Sequence, residues 1–447
     1  MHTPIGILCI HFDTIKSCMI RNRVLVTSIP VWHSKSGSNT LSALFDGYGP
    51  EYIANIYTKA PLPDSAVAGR YFQISEGRVL KSVFCRSIKT GLEVKASPAS
   101  QESVEVRREN SIYALFTNIR LEIFLWIREF LWKIGVWKTK ELDDFITSFS
   151  PDILFFPIES YFYLNRLNKY IIEHHKPKKV IGYLWDDNFT YKQKPYSLAH
   201  KITRYFLKKS VAELVDLCDT VLAISPKMKL ECDREFGVNS VVLSKPMMNV
   251  SGSEYRRKNG PIRLLYTGSL VIGRDKSLLM LAKAIDLINA TGNYVKLSIY
   301  SNTHISKRMY REISQCRLCD ISAAIPHNQV FAEQEKSDIL VIAESLDSRQ
   351  NVARLSFSTK ITDCLSARRC ILAIGKPDSA SIEYLKENHA AILCSTENEI
   401  LKALKSILSD ESQLSDYATR AYLCGQKNHD SQLIKERLHS ELDMLNK

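Results

Sequence analysis

In the stretch Tyr-Thr-Gly268-Ser269-Leu-Val-Ile-Gly273-Arg274-Asp-Lys276, an apolar run stops at a glycine, and a second glycine precedes two cations at a helix start. Glycine lets a backbone approach a ligand closely, and the first amides of a helix have no internal partner. Guanidinium and ammonium groups complete what a diphosphate needs. Further on, Ser358-Thr359-Lys360 opens a short helix with Asp363 one turn in. There the hydroxyls can cap amides, the helix dipole favours negative charge, and Lys360 adds a full cation. Asp363 can accept hydrogen bonds from sugar hydroxyls. Each cluster alone reads as well as an ordinary turn with solvated charges. Two of them in one αβ region, both after strands, point to a nucleotide diphosphate. Neither fits G-x4-G-K-[ST], which disfavours ATP hydrolysis.

The elements that must position these residues follow a regular rhythm. Arg23–Trp32 reads as a strand and the residues up to Phe45 as a glycine and serine loop with a helix behind it. Residues 86–110 are polar and weakly periodic, and read as a long loop or insertion. The aromatic and basic stretch 111–137 has Phe116, Ile119, Ile123, Trp126, Ile127 and Phe130 on one helical face, which predicts a core helix. From Asp152 strands and helices alternate strictly. Met248–Pro261 is polar, charged and glycine-containing, and a second αβ series begins behind it. This predicts an α/β protein of two Rossmann-like, doubly wound domains facing a cleft. The expected boundaries are 1–248, a linker at 249–260, 261–425 and a terminal helix at 426–447.

The chain has 447 residues, enough for two or three domains, and a net charge of +12. That excess suits an anionic partner: a phosphorylated substrate, an acidic membrane face or nucleic acid. No nucleic-acid module or basic run with interleaved aromatics on a sheet is present, so nucleic acid is set aside. Eleven scattered cysteines, with one C-x2-C and no second pair, predict reduced thiols and no metal site. No signal peptide and no run of about 18 apolar residues are found, which predicts a cytoplasmic chain that spans no bilayer.

The motifs "LLYTGSL" with Arg274, "DILVIAES", and "SFSTKITDCLSARRCILAIGKPDSASIEYL" resemble those of retaining GT-B glycosyltransferases of the family 4 type. "VLAISPKMKLECDREFG" is similar to that family's last N-domain strand and helix. The resemblance covers nearly the whole chain after Arg23 and is strongest in the second half. It implies that Arg274 and either Lys276 or Lys360 hold the phosphates. The family's two glutamates, seven residues apart, fall on Leu355 and Asp363. Asp363 then holds the ribose, Leu355 cannot hydrogen-bond, and Glu344 is the nearest substitute for the sugar contact. The loop Gly37-Ser38-Asn39 looks like the one facing the donor from the opposite domain. Asp186 and Asp187 stand where relatives carry a histidine and an aspartate. Base selection is expected near Pro326.

The resemblance therefore implies transfer of a sugar from a nucleotide-diphosphate donor to a glycan or lipid-linked acceptor, with retention and no metal or other cofactor, in surface polysaccharide synthesis. Asp186, Asp187, Arg274 and Lys360 are the expected catalytic set. A sugar-nucleotide epimerase would share the diphosphate site without needing an acceptor. A non-catalytic nucleotide-sugar-binding or scaffold protein would explain Leu355. Aromatic and basic residues in 111–137 and 201–209 also suggest peripheral contact with the inner face of a membrane.

Overall fold

Short runs of β-branched and aromatic residues, most of them buried along their whole length, form the strands of two sheets. The structure is a computed structural model. It describes residues 21–443 except 30–31, 33–39, 60, 65–66, 97–121, 194–197, 248–251, 293, 349–350 and 352. The first sheet contains β1 (Val24–Ser28), β2 (Ile53–Tyr57), β3 (Arg70–Ile74), β4 (Gly91–Val94), β5 (Ile153–Pro157), β6 (Lys179–Leu184), β7 (Thr220–Ala223) and β8 (Val241–Val242). The second contains β9 (Ile262–Thr267), β10 (Val295–Ser301), β11 (Cys319–Ala323), β12 (Ile339–Ala343), β13 (Cys370–Ile374) and β14 (Ile392–Cys394). Their orders are β4-β3-β2-β1-β5-β6-β7-β8 and β11-β10-β9-β12-β13-β14.

Every pairing is parallel except β3 with β4. The chain therefore runs outward from β1 through β2 and β3, then returns to build β5 through β8 on the other side. The second sheet repeats this with β9 to β11 and β12 to β14. The order reverses between β1 and β5 and between β9 and β12. Ligands in open parallel sheets sit beyond the carboxyl ends at such reversals.

One expectation needs correction here. Part of 86–110 is not loop, because Gly91–Val94 pairs antiparallel with β3 as an edge strand. Four residues with a single alternation are too short to show a period. Residues 97–110 lie outside the described residues.

The two halves share apolar packing. Leu355 and Phe357 of the second half belong to the same buried cluster as the first sheet. Arg354 donates to both carboxylate oxygens of Glu231 at 2.5 and 2.6 Å, and Lys227 pairs with Glu383. The last helix, Ser431–Asp443, crosses back to the first sheet, where Asn22 Nδ2 donates to the Leu442 carbonyl at 2.8 Å.

His429 ends the helix before that crossing, and it is buried. Its Nδ1 lies 3.2 Å from the Lys245 carbonyl and its Nε2 lies 2.8 Å from the Tyr384 hydroxyl. The carbonyl can only accept, so Nδ1 donates and Nε2 accepts from Tyr384. Burial pushes the imidazole down to about 4. A base depressed in the fold contributes stability above its unfolded value of about 6.5 and loses it as pH falls toward 4. Urea unfolding between pH 7 and pH 4 is expected to show a decline of about 3 kcal/mol at most from this group. His429→Gln should remove that part of the slope.

Candidate functional site

The C-terminal end of β9 breaks at Gly268, whose φ of +149° is one that side-chain-bearing residues rarely adopt. A Cβ there would lie 1.7 Å from Lys360 Nζ. Glycine is needed because the lysine passes directly over this turn. Lys360 Nζ donates to the Tyr266 hydroxyl at 3.1 Å and lies 4.5 Å from that ring's centroid. The Tyr266 hydroxyl in turn donates to the Ser269 carbonyl at 2.6 Å.

The loop continues through Gly273, left-handed at φ +79°, into the helix Arg274–Ile288. Arg274 donates to Glu344 Oε2 at 3.0 Å, and Ser277 Oγ donates to the Glu344 carbonyl at 2.7 Å. Glu344 directly follows β12, so this pair bridges the sheet reversal between β9 and β12. Both side chains are largely buried. Burial, with help from Arg274, lowers the Lys360 ammonium to about 8. Two cations thus face one carboxylate in a poorly solvated place. The surplus positive charge is relieved by an anion, and a diphosphate supplies one of suitable size.

The helix-start part of the sequence reading does not hold as stated. The Arg274 and Asp275 amides are turned back to the carbonyls of Val271 and Leu270 at 3.5 and 3.3 Å. Thr359 occupies the cap position of the helix Lys360–Ser366, but no side-chain cap forms. Its φ of −61° and ψ of −17° are already helical, whereas a capping side chain needs an extended backbone to reach over the first turn. The Ser358 amide donates to Ser381 Oγ at 3.0 Å. The anion preference rests on the cations Arg274 and Lys360.

Other expected residues are dispersed around this centre. Lys276 is mostly exposed, 3.4 Å from Asp347. Pro326 lies exposed past β11, before the helix His327–Lys336. Asp363 accepts a hydrogen bond from Lys245 Nζ at 2.9 Å. Leu355 is fully buried. Gly37, Ser38 and Asn39 lie outside the described residues.

The paired aspartates separate in role. Asp187 is fully buried and accepts from the Thr190 amide at 2.9 Å and from Arg204 at 3.2 Å. This is a structural capping arrangement, so Asp187 leaves the expected catalytic set. Asp186 keeps solvent contact, and its Oδ1 accepts from Ser356 Oγ at 2.5 Å across the interdomain gap. Surrounding protein raises its carboxyl above the ordinary range.

Sequence reading missed Glu159. It lies two residues beyond β5, beside the reversal with β1, as Asp186 lies two residues beyond neighbouring β6. Trp185 hydrogen-bonds its side chain, while burial, and then the charge of Asp186, raise the carboxyl to about 8. Tyr266, Lys245 and Ser356 were missed as well. The strand-end position, already applied to Asp186, was the available signal for Glu159. Among the described residues no cluster of three or more His, Cys, Asp or Glu side chains could hold a metal ion.

The sequence matches no family model and no curated protein. Solved structures match throughout the chain. Sucrose-phosphate synthase from Thermosynechococcus elongatus aligns at TM-score 0.62 and 12% identity, over 95% of this chain and 99% of that one. Anabaena HepE, solved with UDP, aligns at TM-score 0.58 and 9% identity, over 95% and 100%. TarM aligns at TM-score 0.50 and 12% identity over 67% of this chain, and the match spans 57% of TarM. With its two parallel sheets, each reversing order once, this chain has the GT-B fold.

Proposed function

We propose that this chain is a glycosyltransferase that moves a sugar from a nucleotide-diphosphate donor to a glycan or lipid-linked acceptor, with retention, in surface polysaccharide synthesis. The observation that carries this reading is the Arg274–Lys360 pair over Gly268, at the carboxyl-end reversal of the second sheet. The presence of UDP in the HepE structure supports the donor class.

In this reading the C-terminal half binds the donor. Arg274 and Lys360 stabilise charge developing on the leaving diphosphate through preorganised electrostatics, and the Tyr266 hydroxyl, accepting from Lys360, positions that ammonium. Asp363 takes the ribose while Lys245 holds its carboxylate in place. Glu344 fixes the Arg274 fork. Asp186 and Glu159 face the transferred sugar and the acceptor from the first sheet. The cations carry out the charge stabilisation, so no metal or other cofactor is needed.

Buried Leu355 favours one other reading, a nucleotide-sugar binder without turnover. Calorimetry with a panel of nucleoside diphosphates, followed by incubation of donor sugars with and without glycan acceptors, separates them. The transferase releases nucleoside diphosphate only when acceptor is present. Release without acceptor points to hydrolysis, a changed donor sugar without release points to epimerisation, and binding with neither points to the binder. Asp363→Asn is expected to weaken nucleotide binding about tenfold through the lost charged hydrogen bonds. Normal affinity in that variant would remove Asp363 from the site.

A further inference from the structure

The helices Glu122–Ile134 and Leu198–Asp216 lie against each other, with the Trp126 and Phe206 rings 5.7 Å apart and Trp126 Nε1 donating to Thr203 Oγ1 at 3.0 Å. The sequence reading placed Trp126, Ile127 and Phe130 in the core. All three are exposed instead, Phe130 by 60%, whereas Trp132 and Trp137 are buried. The second helix adds Leu198 at 75% and Tyr205 at 57%, together with half-exposed Phe206. Large apolar side chains cluster in this way on soluble surfaces mainly where something docks.

The charges around the cluster identify what docks. Lys133, Lys201 and Lys209 are exposed on the same two helices. Of the acids there whose side chains are described, Glu129 is buried with Arg166 at 3.1 Å, and Glu213 pairs with Lys169 at 3.4 Å. Asp216 lies at the far end of its helix. A half-exposed aromatic face with no unpaired acid among its described side chains and three exposed lysines beside it complements an anionic bilayer surface, with rings at headgroup depth and ammonium groups on phosphates. No helix among the described residues is long and apolar enough to cross a membrane.

We infer that this two-helix face is a docking surface for anionic phospholipid bilayers. It also lies beside the first sheet's part of the candidate site. Trp126 stacks on Phe162 with centroids 5.6 Å apart, and Arg128 lies 4.5 Å from the Tyr161 ring centroid. Tyr161 and Phe162 follow Glu159 by two and three residues. A lipid-linked acceptor would then be presented from the bilayer next to Glu159. That last step rests on the proposed transferase reading, but the docking surface does not.

Flotation with phosphatidylcholine vesicles, with and without phosphatidylglycerol, at low and high salt, tests the surface. The protein is expected to float with phosphatidylglycerol-containing vesicles at low salt and to be released at high salt. The double variant Phe130→Asp, Leu198→Asp should lose recovery at least tenfold. Lys133→Glu with Lys201→Glu should lose the salt-sensitive part. These side chains are exposed, so the variants should keep the wild-type melting temperature and nucleoside-diphosphate affinity. Recovery from neither vesicle, equal recovery from both, or unchanged recovery of the double variant overturns the inference. So does a wild-type dimer in sedimentation velocity that Phe130→Asp abolishes, which would assign the face to a second copy. Loss of nucleotide binding in the wild-type protein would count against the transferase reading alone.

Discussion

Lys360→Met is expected to weaken nucleoside-diphosphate binding about ten- to a hundredfold while raising the melting temperature of the free protein at pH 7. The binding loss follows from removal of a charge-assisted contact, worth roughly 1.5–3 kcal/mol. The stability gain follows from the environment of the ammonium. Burial and Arg274 hold it down at about 8, against an ordinary value near 10.5. A base depressed in the fold opposes folding at every pH below that depressed value, and the opposition fades between about 8 and 10.5. A neutral side chain of similar length removes it. A bound diphosphate should also restore the proton, so binding near pH 8 should take up about half a proton per site. Calorimetry in buffers of different ionisation enthalpy measures that uptake. Arg274→Ala should lose a comparable affinity but destabilise the free protein, because it leaves the largely buried Glu344 carboxylate without its guanidinium. Pairing it with Glu344→Gln should recover stability and leave binding weak. Unchanged affinity in both single variants would remove the diphosphate site.

Much of the fold was legible because parallel strands buried on both faces are continuous apolar runs, as "ILFFP" and "CILAI" show. The edge strand Gly91–Val94 was not, since four residues with a single alternation show no period and the strand is defined only by its pairing with β3. The aromatic helix carried a clear period, but a period marks only an apolar face. Whether that face meets core or solvent depends on neighbours, and here Trp126 and Phe130 meet solvent. For the site, the glycines and cations were readable because phosphate chemistry restricts residue types. Their arrangement was not readable. The Arg274–Glu344 bridge and the passage of Lys360 over Gly268 depend on the order β9-β12-β13, where adjacency in space differs from adjacency in sequence. Spacing also could not distinguish Asp186 from Asp187. Only the fold shows Arg204 and the Thr190 amide holding the second.

Glu159 is where the first sheet should affect turnover most. Its carboxyl is raised to about 8 by burial and then by the charge of Asp186, so at neutral pH Glu159 is largely protonated. A neutral carboxyl can donate to an acceptor or donor-sugar oxygen while Asp186 accepts from a hydroxyl. An acid raised in the fold favours folding fully below about 4.5 and loses that contribution as pH climbs through 8. Glu159→Gln mimics the protonated form and is expected to stabilise the protein at pH 7 by about 1–2 kcal/mol, after allowance for partial solvent contact. Glu159→Ala should lower kcat tenfold or more while leaving nucleoside-diphosphate affinity unchanged. If the proposed transfer is measured, kcat of the wild-type protein should fall as pH rises past about 8, and Glu159→Gln should remove that limb. Asp186→Asn should move it toward lower pH, because the neighbouring negative charge that helps hold the proton is gone. Lys360 titrates in the same range, but in the free enzyme, and a bound diphosphate restores its charge. Its titration therefore belongs to kcat/KM, whereas Glu159 governs kcat at saturating donor. A kcat profile unaltered in both the Glu159 and Asp186 variants would show that the first sheet's carboxyl pair takes no part in transfer.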